Sequence, residues 1–209
     1  MLNFNAPHSP WLLDTSHFGQ PEGDKLLAKY LERRLPLREA RIYGMIERVD
    51  TNIGRLLKRL EDLGIEKETL VMFMSDNGGV SKFWKGDMKG NKGQPYEGGV
   101  RSPLFARWPG VIKPGSTNAD MVSNVDFAET ILDIAQAPIP ADMQGHSLVP
   151  LLKGKTPEDW RKSFYYHYYE SGGHGVPIHY GVVTKQYKLI HFPEPEIDEW
   201  ELYDLKKDP

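Results

Sequence analysis

The sequence predicts an α/β domain followed by a small antiparallel β-sheet subdomain. A long amphipathic pattern at 37–63 precedes a short apolar run at 70–74, which is the helix-then-strand order of α/β folds. The run is continuous, as expected of a strand buried on both faces of a parallel sheet. After residue 160, aromatic and polar residues alternate in short stretches separated by Gly and Pro, which is typical of antiparallel strands. The predicted domains are therefore 1–155 and 156–209.

Composition limits the function classes without naming one. The chain has 209 residues, a net charge of -3 and 26% charged residues, so it offers no basic stripe for nucleic acid. No apolar run approaches the roughly 18 residues of a membrane span, and residues 1–5 lack the features of a secretory signal peptide. The absence of cysteine excludes disulfides, thiol catalysis and cysteine metal sites.

His8 is the first candidate for chemistry. It lies between Pro7 and Pro10, which restrict the backbone and suit a positioned acid or base. The alternative is an ordinary histidine of a surface loop. The stretch that follows, up to residue 36, is polar and irregular, with a short helix predicted at 25–34.

The pattern at 37–63 predicts the longest helix. Gly64 follows it in the position where a glycine commonly closes a helix. Charged residues occupy the opposite face, which we interpret as solvated. The apolar residues recur at steps of three and four: Ile42, Met45, Ile46, Val49, Ile53, Leu56, Leu57, Leu60 and Leu63.

Polar residues follow the predicted strand at 70–74 without a break. The segment Ser-Asp-Asn-Gly-Gly at 75–79 places the Asp76 carboxylate and the Asn77 amide at the carboxyl end of the strand, where α/β sheets bind ligands. Both offer hard oxygen ligands of the kind that calcium and magnesium prefer. The alternative is an Asx-turn that ends the strand.

Lys92 opens a second polar segment, KGQPYEGGVR at 92–101, which leads into an apolar run at 103–108. A lysine beside a glycine in a loop at a sheet edge can reach an anionic group as a point charge. Alternatively, such a lysine is only solvated.

The C-terminal part carries a helix and then strands. A helix is predicted at 125–135, where Asp126 near its start favours the cap and the helix dipole, a structural role. A linker at 153–160 precedes strands predicted at 163–169, 179–184, 186–192 and 200–205.

Four titratable residues of this part could be considered as metal ligands: His167, Glu170, His174 and His179. Their spacing fits no compact metal motif and therefore does not favour a metal site. We instead expect the loop at 172–175 to lie at the rim of a cleft, with His174 or His179 contacting substrate.

The ordered motifs SDNGG at 75–79, KGxxYEGGVRxP at 92–103 and WPG at 108–110 resemble the C-terminal half of the sulfatase catalytic domain. The similarity is to the calcium-dependent, formylglycine-using arylsulfatases of the alkaline-phosphatase-like superfamily. It implies part of an α/β/α sandwich with a C-terminal antiparallel sheet.

The resemblance also implies roles for individual residues. Asp76 and Asn77 would complete the shell of a Ca²⁺ ion, with Mg²⁺ as the alternative. Lys92 and the metal would hold the sulfate, and His8 would contact the sulfate and assist departure of the alcohol.

The family's C/S-x-P-S-R signature, the source of the formylglycine nucleophile, occurs nowhere in the 209 residues. The resemblance therefore implies a partial sulfatase whose nucleophile and first metal aspartates would precede Met1. We expect this polypeptide to give no turnover by itself.

The stretch 165–205 resembles bacterial enzymes that remove 6-sulfate from N-acetylglucosamine. The expected partner is thus a sulfated carbohydrate or an aryl sulfate ester, and the expected location is periplasmic or extracellular. Two alternatives stay open: a phosphoesterase or phosphonate hydrolase of the same superfamily, and a non-catalytic glycan-binding remnant.

Overall fold

The computed structural model describes residues 4, 6–8, 22–80, 85–171 and 175–207. The chain forms two compact units, Met1–Thr69 and Leu70–Pro209. The predicted boundary between 155 and 156 is a different division and stays a prediction. Within the described ranges, no helix has the length and apolar character needed to cross a membrane.

The first unit consists of helix α1 (Glu22–Glu32), helix α2 (Leu37–Asp62) and a short 3-10 helix, Glu66–Glu68. The prediction for α2 is confirmed to within one residue, because Leu63 caps the helix and Gly64 follows with a φ of +69°. This left-handed conformation suits a glycine. The helix predicted at 25–34 begins three residues earlier, at Glu22.

Glu47 joins the two helices. Its carboxylate accepts hydrogen bonds from Lys29 Nζ at 2.8 Å and from Tyr30 Oη at 2.7 Å. Tyr30 also stacks on Tyr43 of α2, with ring centroids 5.5 Å apart. The donors from Lys29 and Tyr30 lower the pKa of Glu47. Polar contacts thus reinforce the packing between α1 and α2.

The second unit begins with a two-stranded sheet. Strand β1 (Val71–Met74) pairs antiparallel with β2 (Leu104–Arg107), in a register that sets Phe73 opposite Phe105. The prediction of a strand buried on both faces of a parallel sheet is wrong for this chain, because Phe73 is 40% exposed and Phe105 is 64% exposed. Among the described residues, β1 pairs with β2 and with no other strand, so its other edge is unpaired. The short helix α3 (Glu97–Val100) lies between the two strands in sequence.

Helix α4 (Asp126–Ile134) matches the predicted helix to within one residue at each end. The short helix α5 (Val149–Leu152) follows, and a small apolar core forms where Leu148, Leu151 and Trp160 pack with partly buried Phe127 and Met72. This core connects α4 and α5 to strand β1.

Asp126 lies completely buried at the start of α4. Its carboxylate forms a bidentate ion pair with the Arg161 guanidinium and accepts backbone N–H groups of Ser123 at 2.8 Å and His146 at 2.9 Å. The predicted structural role of Asp126 is therefore confirmed, and it is larger than a helix cap.

The C-terminal strands form one antiparallel sheet in the order β3-β4-β5-β6. Their bounds are Ser163–Tyr168, His179–Thr184, Tyr187–Phe192 and Glu199–Asp204, each within one residue of the prediction. One face, which includes Lys188 and Ile190, is buried, whereas Tyr165 and Leu202 on the other face are exposed.

Candidate functional site

Two polar segments that are distant in sequence lie side by side at the end of β1. The backbone N–H of Gly78 donates to the carbonyl of Gly99 at 2.9 Å, and the N–H of Lys92 donates to the carbonyl of Gly79 at 3.0 Å. Ser75, directly after β1, donates to Pro103 at 3.3 Å. The Ser75–Gly79 segment, which carries Asp76 and Asn77, is therefore held against the Lys92 loop, which we define as residues 89–101.

Asp76 and Asn77 present their oxygens differently. Asp76 is exposed and Asn77 is half-buried. The Asn77 amide nitrogen donates to the Gly78 carbonyl at 2.8 Å, which leaves the amide oxygen as the end available to a ligand. A carboxylate and an amide oxygen fit a hard cation such as Ca²⁺.

Two ligands fall short of the six to eight oxygens that Ca²⁺ takes. In the part of the chain that the structure describes, no three His, Asp or Glu side chains are grouped so that they could hold a metal ion. Asp76 and Asn77 alone would therefore supply only part of a metal shell.

Glycines allow the two segments to approach closely. A Cβ added at Gly99 would lie 2.3 Å from the carbonyl oxygens of both Asn91 and Gln94, and one at Gly78 would lie 2.3 Å from the carbonyl oxygen of Gly98. Real Cβ atoms essentially never come this near. A Cβ at Gly98 would lie 2.6 Å from the carbonyl oxygen of Gly90, so backbone contact requires both glycines of the YEGG motif.

The short helix α3 (Glu97–Val100) ends the loop, and Glu97 at its start is bound on two sides. Its carboxylate lies 2.5 Å from Lys188 Nζ of strand β5 and 3.8 Å from Arg101. Burial lowers the pKa of Lys188, while the hydrogen bond and the charge of Glu97 oppose that shift.

Tyr96 connects the loop to strand β6. Its hydroxyl donates to Glu201 at 3.2 Å, and Tyr203 donates to the same carboxylate at 2.6 Å. Lys89 Nζ lies 4.1 Å from the centroid of the Tyr96 ring, a cation–π contact. Burial, together with Glu201, raises the pKa of Tyr96 to about 12. An open cavity of about 200 Å³ beside Tyr96 is also lined by Gln94 and Glu199.

The structure brings together three of the predicted site residues. Asp76, Asn77 and Lys92 lie in the paired segments, and the Lys92 side chain is exposed. His8 is exposed in a bend of the first unit. Their roles in catalysis and metal binding stay predictions.

His179 takes a buried position, with an exposed fraction of 3%. Its ring stacks on Tyr168 with centroids 5.1 Å apart, and its Nδ1 lies 2.9 Å from the Pro177 carbonyl. Burial lowers the pKa of this imidazole. Its predicted contact with substrate stays a prediction, and His174 lies outside the described residues.

Sequence reasoning missed Lys188, Glu97 and Arg161 as structural determinants. A signal for Lys188 was present, since it alternates with Ile190 and Phe192 on the face of β5 that is buried. No sequence pattern indicated which carboxylate it meets.

Two family models match the chain. The sulfatase model covers residues 2–137, and the model of the C-terminal part of N-sulphoglucosamine sulphohydrolase covers residues 91–209. Together they extend over both segments of the site.

Individual proteins of known name are also similar to this chain. An N-acetylglucosamine-6-O-sulfatase of Bacteroides thetaiotaomicron is 50% identical over 165 residues, covering 77% of this chain and 29% of the relative. A solved structure of a protein in complex with its substrate D-glucosamine-2-N,6-O-disulfate matches with a TM-score of 0.74 and 42% identity, over 87% of this chain and 39% of that one.

A phosphonate monoester hydrolase of Agrobacterium radiobacter also matches, with a TM-score of 0.64 and 28% identity, over 83% of this chain and 36% of that one. These neighbours have the alkaline-phosphatase-like fold. The chain spans well under half the length of the relatives it matches.

Proposed function

This chain belongs to the sulfatase family, and on that basis we propose that the protein hydrolyses sulfate esters of sulfated sugars. The chain contributes the C-terminal part of the catalytic site in this proposal. The observation that carries it is the hydrogen bond from the Lys92 N–H to the Gly79 carbonyl, which joins the predicted anion-binding loop to the predicted metal-binding segment.

Each residue that the family resemblance singles out has a part that its chemistry suits. The oxygens of Asp76 and Asn77 would hold Ca²⁺, with Mg²⁺ as the alternative. When bound, the ion would supply positive charge for the sulfate oxygens; the family's nucleophile is a formylglycine, whose signature is not found in these 209 residues. Lys92 would bind a sulfate oxygen as a point charge. His8 would hold a proton for the departing alcohol oxygen.

The proposed substrate is a glucosamine or N-acetylglucosamine unit that carries 6-sulfate. Support comes from the 50% identity with an N-acetylglucosamine-6-O-sulfatase and from the 42% identity with the protein solved with D-glucosamine-2-N,6-O-disulfate.

Phosphonate monoester hydrolysis is the second candidate activity. The similarity to a phosphonate monoester hydrolase at 28% identity favours it. A cationic loop beside a metal-binding segment suits either anion, because both are tetrahedral groups with charged oxygens.

A direct comparison of the two esters tests the proposal. The complete protein that carries these residues is assayed for sulfate release from N-acetylglucosamine-6-sulfate and for hydrolysis of a phosphonate monoester. We expect the sulfate ester to have the larger kcat/KM. A larger kcat/KM for the phosphonate would support the second activity instead, and no sulfate release would refute the proposal.

Variants at two lysines test whether hydrolysis depends on the site formed by the Lys92 loop and the Ser75–Gly79 segment. Lys92→Ala should lower kcat/KM by about 100-fold or more, the effect of removing one group that stabilises developing charge. Lys113, an exposed lysine in the turn after β2, provides the matched control, since Lys113→Ala should leave kcat/KM unchanged. Equal effects of the two variants on kcat/KM would show that Lys92 does not bind the reacting sulfate group.

A further inference from the structure

Lys188 is a buried lysine of the C-terminal sheet whose ammonium contacts, among the residues that the structure describes, lie in the Lys92 loop. Its exposed fraction is 1%. Its ammonium donates to the carbonyl oxygen of Pro95 at 2.9 Å and lies 2.5 Å from Glu97 Oε1. The bond to Pro95 joins residues 93 positions apart in sequence. A buried charge is tolerated when it is paired and hydrogen-bonded, as this one is.

The contacts continue from Lys188 to the predicted site. Pro95 and Glu97 lie between Lys92 and Gly99, and Gly99 packs against the carbonyls of Asn91 and Gln94 on either side of Lys92. The Gly99 carbonyl then accepts the N–H of Gly78, next to Asn77. Displacement of Pro95 or Glu97 would therefore displace both segments of the site.

We propose that Lys188 is a positioning residue, which fixes the Lys92 loop so that Lys92 and the Asp76–Asn77 pair face the same anion. The inference rests on the proposed function for the identity of that anion, a sulfate group. Lys188 itself need not touch substrate. It acts through the Pro95 carbonyl and the Glu97 carboxylate.

Simple electrostatics makes a different prediction, and this separates the two explanations. Lys188→Met removes a positive charge, and Glu97→Gln removes a negative charge from the same ion pair. If only the local charge mattered, the first variant would weaken sulfate binding and the second would strengthen it. Positioning predicts that both variants weaken it, because each leaves one partner of the pair without its counterpart.

The first measurement needs no substrate. Amide hydrogen exchange is followed in the complete protein at Lys92 and Gly78, whose N–H groups bridge the two segments, and compared with the amides of β4. In Lys188→Met we expect exchange at Lys92 and Gly78 to quicken about tenfold more than in β4, as local opening would give. Lys185→Met is the matched control, since Lys185 is an exposed lysine in the turn between β4 and β5 of the same sheet.

The second measurement is the affinity for inorganic sulfate, determined as a competitive inhibitor and by calorimetry. We expect Lys188→Met and Glu97→Gln each to weaken sulfate binding by about tenfold to 100-fold, the scale of a displacement near 1 Å. In a Lys92→Ala background, Lys188→Met should weaken sulfate binding by a smaller factor than in the wild type, because one of the groups that it positions is absent.

The outcomes distinguish failure of the positioning role of Lys188 from failure of the proposed function. Unchanged relative exchange at Lys92 and Gly78, stronger sulfate binding by Glu97→Gln, or additive effects in the double variant would each overturn the positioning role. Quickened exchange in Lys188→Met, together with a wild-type protein that neither binds sulfate nor hydrolyses its esters, would support the positioning contact and refute the proposed function. If Lys188→Met does not fold, Glu97→Gln carries the same exchange and affinity tests.

Discussion

Gly99 offers the sharpest test of the packing that builds the site. The change Gly99→Ala adds one Cβ, which would lie 2.3 Å from the carbonyl oxygens of Asn91 and Gln94. Contacts of a real Cβ are essentially never shorter than 3.0 Å, so the neighbours must move apart by about 0.7 Å. Both neighbours are backbone atoms flanking Lys92, so no side chain can rotate away to make room.

The size of the effect follows from that displacement. Overpacking of a tight backbone contact should lower the free energy of unfolding by about 1–3 kcal/mol. A loop displaced by nearly 1 Å should also lower kcat/KM for the sulfate ester by about tenfold to 100-fold. Urea denaturation followed by circular dichroism measures the first quantity, and sulfate release measures the second.

Gly54 provides the matched control. It is exposed on helix α2, and an added Cβ there would meet nothing within 4 Å. Gly54→Ala should therefore raise the free energy of unfolding by up to about 1 kcal/mol through helix propensity and leave kcat/KM unchanged. A Gly99→Ala variant with the stability and kcat/KM of the wild type would refute the packing argument.

Three further predictions concern stability and metal binding. Asp126→Ala should lower the free energy of unfolding by about 3–5 kcal/mol, measured in urea, because it leaves the Arg161 charge buried and unpaired. Burial lowers the pKa of His179 below 6.5 in the folded state, so the unfolded chain binds a proton first as the pH drops. The free energy of unfolding should therefore fall below pH 6.5, and its dependence on pH should be shallower in His179→Gln. Ca²⁺ should raise the Tm of the complete protein, and less so in Asp76→Ala.

Each of these has its own control. Lys185→Ala removes an ion pair with Asp120 whose lysine is 60% exposed, and should change stability by at most about 1 kcal/mol. A pH slope that is identical in wild type and His179→Gln would contradict the assignment of that slope to His179. Asp142→Ala, at an exposed aspartate of the second unit, should keep the full Ca²⁺ effect on Tm.

Elements with a clear period could be predicted from the sequence. Helix α2 and the four C-terminal strands lie within a residue of their predicted bounds, because their residues face a core on one side and solvent on the other. Helix α3 could not be predicted, since Glu-Gly-Gly-Val has low helix propensity and forms a helical turn only through its tertiary contacts.

The candidate site divides in the same way. Asp76, Asn77 and Lys92 could be singled out because they stand in short motifs next to apolar runs. The long-range contacts of the fold could not be predicted, because Lys188 meets Pro95 across 93 residues and Arg161 meets Asp126 across 35. Local periodicity carries no information about such pairs. It also does not show which strand pairs with β1, and for that reason the prediction of a parallel sheet was wrong.

The bond between Lys188 and Pro95 also sets an order of events during synthesis. A ribosome that adds about 5–20 residues per second needs roughly 5–20 s to pass from one partner to the other. Throughout that interval the Lys92 loop has been synthesised, whereas strand β5, which carries Lys188, has not. The loop can therefore reach its final geometry only after β5 has left the ribosome, so the proposed anion site is among the last parts of this chain to mature.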